Sequence, residues 1–467
     1  MKAKLLLTII FSFVISALTF GQWSAPVNLS PAAVSAGLNE SMGSCLGTSG
    51  DTLHIVWTDK LSTKKAALYY THSLDTGLTW SAPIAITSLS KNAWNPAIAV
   101  NGLNVHVAWR EIDTITGHRA SWYKHSLDGG NTWGPNVFLD STADWPAISV
   151  SGNNVYIAND SITAAAPYNT EIFFKRSTDN GLTWSAHQQL TFAVGRSEDE
   201  AIHAEGAHIH MSWNDNRVGL FQILYKESND YGVTWGPDVV VDPIQDYNVM
   251  GWSDGSHVDV IAAGAPSGRY QLLIAQSADT GATWGPSTDI SNDTAHTYFL
   301  PDMVRDGNDL HVVCGSSAGS KYFHSSTGGA TWDAPYTLPG ANFVAYTGCA
   351  VHVIYTNATH KIYYLRNPTG NAGHCGMATG IAENQMQEGI LVYPNPFNDL
   401  TTFEIKSNKN DVYSFELTDV LGKKVRSLNE INTKQFQITR NGLENGIYFY
   451  KIYSAESIVG VGKLVIE

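Results

Sequence analysis

The stretch SLDTGLTW, residues 73–80, combines Ser, Asp, Gly, Thr and Trp at offsets that suit either a catalytic site or a tight turn. The same pattern returns five times, as SLDGGNTW (126–133), STDNGLTW (177–184), SNDYGVTW (228–235), SADTGATW (277–284) and SSTGGATW (325–332). The tryptophans of successive copies are 53, 51, 51, 49 and 48 residues apart. Self-similarity at such a period predicts a solenoid or a propeller.

Each repeat also contains the same short apolar segments around the quoted pattern. In the second repeat these segments are PAIAV, VHVAW, SWYKHS and GPNVFL. Four short strands in a repeat of about 50 residues are typical of one propeller blade. The sequence therefore predicts an all-β protein with a propeller over residues 22–370.

The two ends of this region complement each other. After the sixth copy the chain supplies three strand segments and no fourth, whereas QWSAPVNLS (22–30) matches TWSAPIAIT (79–87), which is a fourth strand. Pairing of the N-terminal strand with the last blade would remove the exposed sheet edges. We therefore predict a seven-bladed β-propeller with six copies of the pattern, in which the N-terminal strand closes the last blade.

The pattern S-x-D-x-G-x-T-W resembles the Asp-box, or BNR repeat, of the sialidase-like superfamily of propellers. In this interpretation the aspartates accept N–H groups of the turn and the tryptophans pack between sheets. These residues are Asp75, Asp128, Asp179, Asp230, Asp279, Trp80, Trp133, Trp184, Trp235, Trp284 and Trp332. Copies in different blades lie too far apart to share one reaction centre, and Thr327 replaces the aspartate in the sixth copy. The resemblance therefore favours a structural role.

The remaining segments indicate export. Residues 1–21 have two lysines, an apolar run and small residues, which predicts a signal peptide, and no other segment is expected to span a membrane. Residues 371–390 are predicted to be a flexible linker. Residues 391–467 predict a small β-sandwich, and YPNPF (393–397), LTDVLGKKV (417–425) and GKLVIE (462–467) resemble the type IX secretion sorting domain of Bacteroidetes. That resemblance implies the export machinery as a partner and a secreted or outer-membrane surface location.

Charge and cysteine content limit the possible ligands. Residues 22–390 hold 33 acidic and 17 basic residues, a net charge of −16, which disfavours nucleic-acid binding. Cys45, Cys314, Cys349 and Cys375 allow three disulfide pairings and lack the spacing of a zinc site.

Five histidines occupy equivalent strand positions: His54, His106, His210, His311 and His352. They should pack on the faces of separate strands, so no metal or cofactor is expected.

A ligand site is expected on the face opposite the Asp-box turns, which we call the channel face. It contains the links that enter each first strand and the loops that follow each second strand. The predicted ligand-binding residues there are Trp94, Asp144, Trp145, Asp160 and Tyr298. The candidates for catalysis are Glu198, Glu200 and Asp215, with Arg110 and Arg217.

Two classes of function fit these residues. In a binding protein for extracellular glycan or protein, the aromatic rings stack on sugars and the carboxylates accept hydrogen bonds; the alternative is that the rings only fill gaps between blades. In a sialidase-like glycoside hydrolase, two carboxylates act as a pair; the alternatives are a solvated acidic loop or a calcium site. Sialidases use three arginines, and only Arg110 and Arg217 are expected on this face. The resemblance thus implies the fold and leaves the activity open.

Overall fold

A computed structural model describes most of the chain. The described residues are 23–38, 43–141, 143–164, 169–242, 246–266, 268–371, 390–393, 395, 397–405, 412–419, 423–454 and 458–466. They form two compact units that divide after Cys375, within the predicted linker. The predicted signal peptide lies outside the described residues, as does the linker except for its first and last residues. All regular elements in the described ranges are β-strands, and no helix there has the length and hydropathy to span a membrane.

The first unit is a β-propeller, whose described residues form seven antiparallel sheets. The first strand in the chain is β1 (Val27–Asn28). Blade 1 contains β2 (Ala36–Gly37), β3 (Leu46–Ser49), β4 (Thr52–Ser62), β5 (Lys65–Ser73) and β6 (Ile84–Ala85). Blade 2 contains β7 (Ala93–Asn101), β8 (Asn104–Ile112), β9 (Arg119–Ser126) and β10 (Val137–Asp140). Blade 3 contains β11 (Ala143–Ser151), β12 (Asn154–Ala164), β13 (Asn169–Ser177) and β14 (Gln188–Gln189).

The other four sheets repeat this plan. Blade 4 contains β15 (Ser197–Glu205), β16 (His208–Asp215), β17 (Gln222–Ser228) and β18 (Val239–Asp242). Blade 5 contains β19 (Asp246–Asp254), β20 (His257–Gly264), β21 (Gln271–Ser277) and β22 (Thr288–Asp289). Blade 6 contains β23 (Tyr298–Asp306), β24 (Asp309–Ser316), β25 (Lys321–Ser325) and β26 (Tyr336–Thr337). Blade 7 contains β27 (Phe343–Thr347), β28 (Ala350–Thr356) and β29 (Ile362–Asn367).

The sheets form a closed ring. The first strands β3, β7, β11, β15, β19, β23 and β27 each contact the next, and β27 contacts β3. The fourth strand of blade 7 is β1, whose Val27 pairs with Tyr364 of β29, as the match between residues 22–30 and 79–87 predicts. The hydrophobic core lies between neighbouring sheets, so inner strands are apolar on both faces, and β24 is buried along its whole length.

Five of the six Asp-boxes are turns held by their aspartates. In the first copy, Asp75 accepts the hydroxyl of Ser73 (2.8 Å) and both the N–H (2.8 Å) and the hydroxyl (2.6 Å) of Thr79. The hydrogen bonds from threonine are the largest cause that lowers the pKa of Asp75 to about 2, and the four equivalent aspartates have the same value. In the sixth copy the Thr327 hydroxyl accepts the Thr331 N–H instead (2.8 Å). These carboxylates are thus engaged within their own turns.

The glycine and tryptophan of the Asp-box contact the preceding blade. A Cβ on Gly181 would lie 1.8 Å from the hydroxyl oxygen of Tyr123 in blade 2. The ring of Trp184 meets the same tyrosine edge-on, with 4.8 Å between ring centroids. Blades 1, 4 and 7 present Tyr70, Tyr225 and Tyr364 to the next blade in the same way. The recurring motif therefore joins neighbouring blades as well as neighbouring strands.

The five equivalent histidines contact tyrosines of this kind through hydrogen bonds. Each Nδ1 is within hydrogen-bond distance of a tyrosine hydroxyl on the next strand, in the pairs His54–Tyr70 (2.6 Å), His106–Tyr123 (2.7 Å), His210–Tyr225 (2.6 Å), His311–Tyr322 (2.8 Å) and His352–Tyr364 (2.7 Å). Burial is the main cause that lowers the pKa of all five to about 3. They are neutral at pH 7 and lie on separate blades.

The cysteines of the propeller are dispersed. Cys45 is buried in blade 1, Cys314 is buried in blade 6, and Cys349 is partly exposed beside β28. No disulfide joins these three, and Cys375 lies outside the described residues.

The second unit consists of two antiparallel sheets. One contains β30 (Ile390–Tyr393), β31 (Leu400–Ile405) and β34 (Gln435–Thr439). The other contains β33 (Lys424–Ile431), β32 (Tyr413–Asp419), β35 (Gly446–Tyr453) and β36 (Ile458–Ile466). Phe403, Phe415 and Tyr450 lie in the one hydrophobic cluster identified among the described residues of this unit.

Candidate functional site

A β-bulge recurs where first strands begin at the channel face. The pairing register shifts between Trp94 and Ala97, between Asp144 and Ala147, between Glu198 and Ala201, and between Phe299 and Asp302. One residue inside each of these bulges has a positive φ: Asn95 (53°), Trp145 (43°), Asp199 (58°) and Leu300 (49°). A left-handed conformation costs little for Asn95 and Asp199 but is strained for Trp145 and Leu300, and such strain clusters at binding and active sites.

The bulges of blades 3 and 4 bring carboxylates together. Asp144 and Asp160 are cross-strand partners in the β11–β12 pair, and Glu198, Asp199 and Glu200 are consecutive in β15. We call these five residues the acidic cluster. Burial, followed by the charges of Asp144, Asp199 and Glu198, raises the pKa of Asp160 well above its ordinary value. Burial is also the largest cause of the raised pKa of Glu198 and of Asp199.

Glu200 is the most deeply buried member of the acidic cluster. Its side chain is 0% exposed, and neither carboxylate oxygen has a hydrogen-bond partner on another described residue. Burial and the neighbouring Asp160 raise its pKa well above the ordinary value. An ionised carboxylate is costly in such surroundings, so burial favours the protonated form of Glu200, whose hydroxyl can donate a hydrogen bond.

Three guanidinium groups flank the acidic cluster, and all three are paired. Arg110 contacts Asp144 (2.5 Å) and donates to Asn95 (3.1 Å), while Arg119 donates to the other oxygen of Asp144. Arg196 pairs with Glu198. A planar guanidinium fits a carboxylate ligand best when it is free to form two parallel bonds. Here the carboxylates of the chain already occupy these groups.

The aromatic candidates are placed differently from one another. Trp145 is half-buried, and the guanidinium carbon of Arg110 lies 4.8 Å from its ring centroid. Trp94 is half-buried too, and its indole N–H donates to Asn92 (2.6 Å). Tyr298, by contrast, is 2% exposed in the core of blades 5 and 6, and its hydroxyl donates to Asp293 (3.1 Å). The ring of Tyr298 is therefore covered by protein, so stacking of a ligand on it would require the ring to become exposed.

Asp215 and Arg217 form a separate pair. Two nitrogens of Arg217 each donate to Asp215 at 2.7 Å, and Asp215 also accepts the Ser197 hydroxyl (2.9 Å) and the Trp213 indole N–H (3.1 Å). Burial by itself would raise the pKa of Asp215, but the hydrogen bonds from Arg217 bring it below its ordinary value. These four contacts leave Asp215 ionised and fully engaged, which is the pattern of a structural ion pair.

Two residues of the site were not predicted from the sequence. Arg119 begins β9 and Arg196 directly precedes β15, so both lie where loops meet strands on the channel face. The RSEDE run (196–200) contains Arg196, but the partner of Arg119 is in the next blade, which no local pattern reveals. No group of three or more His, Cys, Asp or Glu residues with the geometry of a metal site occurs in the described ranges.

Comparison with known proteins agrees with this architecture. The family model described as BNR repeat-like domain matches residues 9–312, and the model described as secretion system C-terminal sorting domain matches residues 391–467. The second match indicates export by the type IX secretion system, so the protein is secreted or attached to the cell surface. Curated protein sequences give no match.

Several solved structures have a similar fold at low identity. The Hadza microbial sialidase Hz136 is 14% identical, with 63% of this chain and 64% of that chain covered and a TM-score of 0.44. The GH93 α-L-arabinofuranosidase of Fusarium graminearum in complex with arabinobiose is 14% identical, with 56% and 89% covered and a TM-score of 0.39. Trypanosoma rangeli sialidase with the inhibitor DANA is 10% identical, with 92% and 85% covered and a TM-score of 0.40.

This chain thus spans less than two thirds of the Hadza sialidase, and likeness at such identities does not extend to activity. The repeat match, however, covers more than half of the 467 residues. The chain therefore belongs to the BNR repeat-like domain family and ends in a secretion system sorting domain.

Proposed function

We propose that this exported propeller binds an extracellular ligand at the acidic cluster, and that the ligand is an uncharged carbohydrate. The observation that carries the proposal is the convergence of five carboxyl groups with the half-buried Trp94 and Trp145 on one face of blades 2–4. Carboxylates accept hydrogen bonds from sugar hydroxyls, and indole rings cover the apolar faces of sugars. A protein ligand at the same face is the second possibility within this proposal.

The charge balance supports an uncharged ligand over an acidic sugar. The acidic cluster has five carboxyl groups and three flanking arginines, and every one of those arginines is paired with a carboxylate. An anionic sugar would have to displace Asp144 or Glu198 from its partner. The Arg110–Asp144 pair is buried, so separating it is costly because the remaining charge is left uncompensated. The side chains of Arg119 and Arg196 are half-exposed, so their pairs are weaker.

A glycan array probed with the full exported chain tests the proposal, with Trp145→Ala and Glu198→Gln as variants. Asp51→Asn is the matched control, because Asp51 is exposed on the Asp-box face and has no part in the cluster. We expect neutral glycans to bind wild type and the control, and the two variants to bind at least tenfold more weakly. Binding of sialylated glycans alone, or equal binding by all four proteins, would contradict the proposal.

The raised pKa values favour a second candidate, glycoside hydrolysis. Burial raises the pKa of both Asp160 and Glu200, and ionisation of Asp160 would raise the pKa of Glu200 further, so the pair favours keeping at least one proton. A carboxylic acid that stays protonated at neutral pH is what a glycosidase uses as its general acid. Turnover of chromogenic glycosides by wild type, abolished in Asp160→Asn and Glu200→Gln, would establish hydrolysis. Binding without turnover would establish a binding protein.

A further inference from the structure

The axial channel of the propeller contains a cavity of about 300 Å³. The first strands of all seven blades contribute to its lining. The large apolar residues among them include Leu46, Ile98, Ile148, Ile202, Met303 and Val344. Small-molecule sites in proteins are typically apolar cavities of roughly 300–1,000 Å³, so the channel falls at the lower end of that range.

Three polar side chains in the lining already have partners within the protein. Ser149 accepts the N–H of Ala204 (3.0 Å), the His203 imidazole is 2.6 Å from the Ser253 hydroxyl, and Asp302 accepts the N–H of Val344 (2.7 Å). A polar ligand would give up its hydrogen bonds to water and gain few in return. The apolar side chains in the lining would instead favour an apolar guest.

The cavity adjoins the acidic cluster along the chain. Ala147 and Ala201 line the cavity, and the residues that precede them are the bulges Trp145–Pro146 and Asp199–Glu200. Toward the Asp-box end, the rings of His203 and Trp252 are in tilted contact with 4.2 Å between their centroids, and both residues line the cavity. A ligand held at the acidic cluster therefore lies beside one end of an apolar passage that has aromatic rings near its other end.

We infer that the axial channel is a binding site for an alkyl or aryl group. If the proposed function holds, on which this assignment rests, that group is the apolar aglycone of a carbohydrate whose sugar lies at the acidic cluster. Burial of a methylene group contributes about a fourfold gain in affinity. An alkyl or aryl glycoside would accordingly bind more tightly than the methyl glycoside of the same sugar.

Calorimetric titration of the full exported chain with 1-butanol, 1-hexanol and 1-octanol tests the channel without any sugar. We expect one-to-one binding that strengthens about fourfold per methylene group. Val150→Trp and Val100→Trp each place an indole in the channel lining, and both should lose this binding. Leu103→Trp is the control, because Leu103 is 56% exposed outside the cavity and should bind as wild type does.

Thermal unfolding of each variant shows whether it is folded. Val150→Trp and Val100→Trp, the two filling variants, are both used so that one unfolded protein does not decide the result. Absence of saturable alkanol binding by wild type would overturn the inference, as would binding that the folded filling variants retain. Alkanol binding without binding of any glycan would contradict the proposed function and the aglycone assignment, but would support the apolar site. Methyl and octyl glycosides that bind equally would overturn the aglycone assignment alone.

Discussion

At the scale of single residues, Glu200 has the environment that is hardest to reconcile with a purely structural role. A fully buried carboxyl group without a hydrogen-bond partner on another described residue destabilises the fold when it ionises. A propeller blade does not need such a group, since the equivalent residues in blades 2, 3 and 6 are prolines: Pro96, Pro146 and Pro301. The cost is explained if the carboxyl group serves ligand binding or proton transfer.

Glu200→Gln should therefore change how stability depends on pH. The folded-state pKa of Glu200 lies well above the ordinary value of 4.5. Below pH 4.5 both states hold the proton; above it the unfolded chain releases the proton first, so wild type loses stability as the pH rises. We expect the melting temperature of the variant minus that of wild type to increase between pH 4.5 and 8. A difference that stays constant, or falls, would show that Glu200 ionises normally.

Local sequence identified only part of this site. The run SEDE (197–200) marked the carboxylates, but not that Glu200 is buried while Glu198 reaches Arg196. That distinction comes from the bulge between Glu198 and Ala201, which depends on pairing with β16. Arg217 was recognised as a channel-face residue, yet its bidentate contact with Asp215 depends on a loop geometry that composition does not encode.

At the scale of elements, the contact between an Asp-box turn and the preceding blade should dominate the stability of a blade. Gly181→Ala would place a methyl group 1.8 Å from the Tyr123 hydroxyl oxygen at a φ of +82°. Gly152 has a φ of +58° and open space around it, so Gly152→Ala measures the backbone cost alone. We expect about 1–2 kcal/mol for Gly152→Ala and a further ~1–3 kcal/mol for Gly181→Ala.

Chemical denaturation of these two variants measures both costs. Equal free energies of unfolding would show that the Gly181–Tyr123 contact relaxes without cost, and that the Asp-box serves only its own turn.

The histidine–tyrosine pairs give the strands a pH dependence of the opposite sign to that of Glu200. The pKa of His106 is about 3 in the folded protein, whereas its ordinary value is 6.5. Between these values the unfolded chain binds a proton that the folded chain does not, so the free energy of unfolding falls as the pH is lowered from 6.5 toward 3. We expect His106→Gln to reduce this dependence by up to about 1.4 kcal/mol per pH unit. Denaturant titrations at pH 7.5, 6 and 5 give the free energy of unfolding at each pH. If His106 titrates normally, wild type and the variant would show the same change of that free energy with pH.

At the scale of the whole molecule, ring closure joins the two ends of the propeller sequence. Val27 and Asn28 form the outer strand of blade 7, and Trp23 meets Tyr322 of blade 6 edge-on at 5.2 Å. Trp23 thus takes the place that Asp-box tryptophans take in other blades. The ring could be predicted from sequence, because the repeat period and the match between residues 22–30 and 79–87 act over the whole chain.

Removal of residues 22–29 should therefore destabilise the whole propeller and not one strand alone. Without residues 22–29, blade 7 exposes the edge of β29 and loses the contact of Trp23 with Tyr322 of blade 6. We expect a lower melting temperature and a tendency to aggregate, with Trp23→Ala showing a smaller effect in the same direction. If the truncated protein had the same melting temperature as wild type, the ring would not need its N-terminal strand.

Hydrogen–deuterium exchange with a bound glycan from the array tests the central claim most directly, namely that the channel face of blades 2–4 binds the ligand and the Asp-box turns hold the scaffold. We predict that the glycan slows exchange at the backbone N–H groups of residues 143–145, 147 and 196–200. Exchange in the Asp-box turns at 126–133 and 177–184 should stay unchanged. Protection confined to those turns, with none at the bulges, would contradict the account.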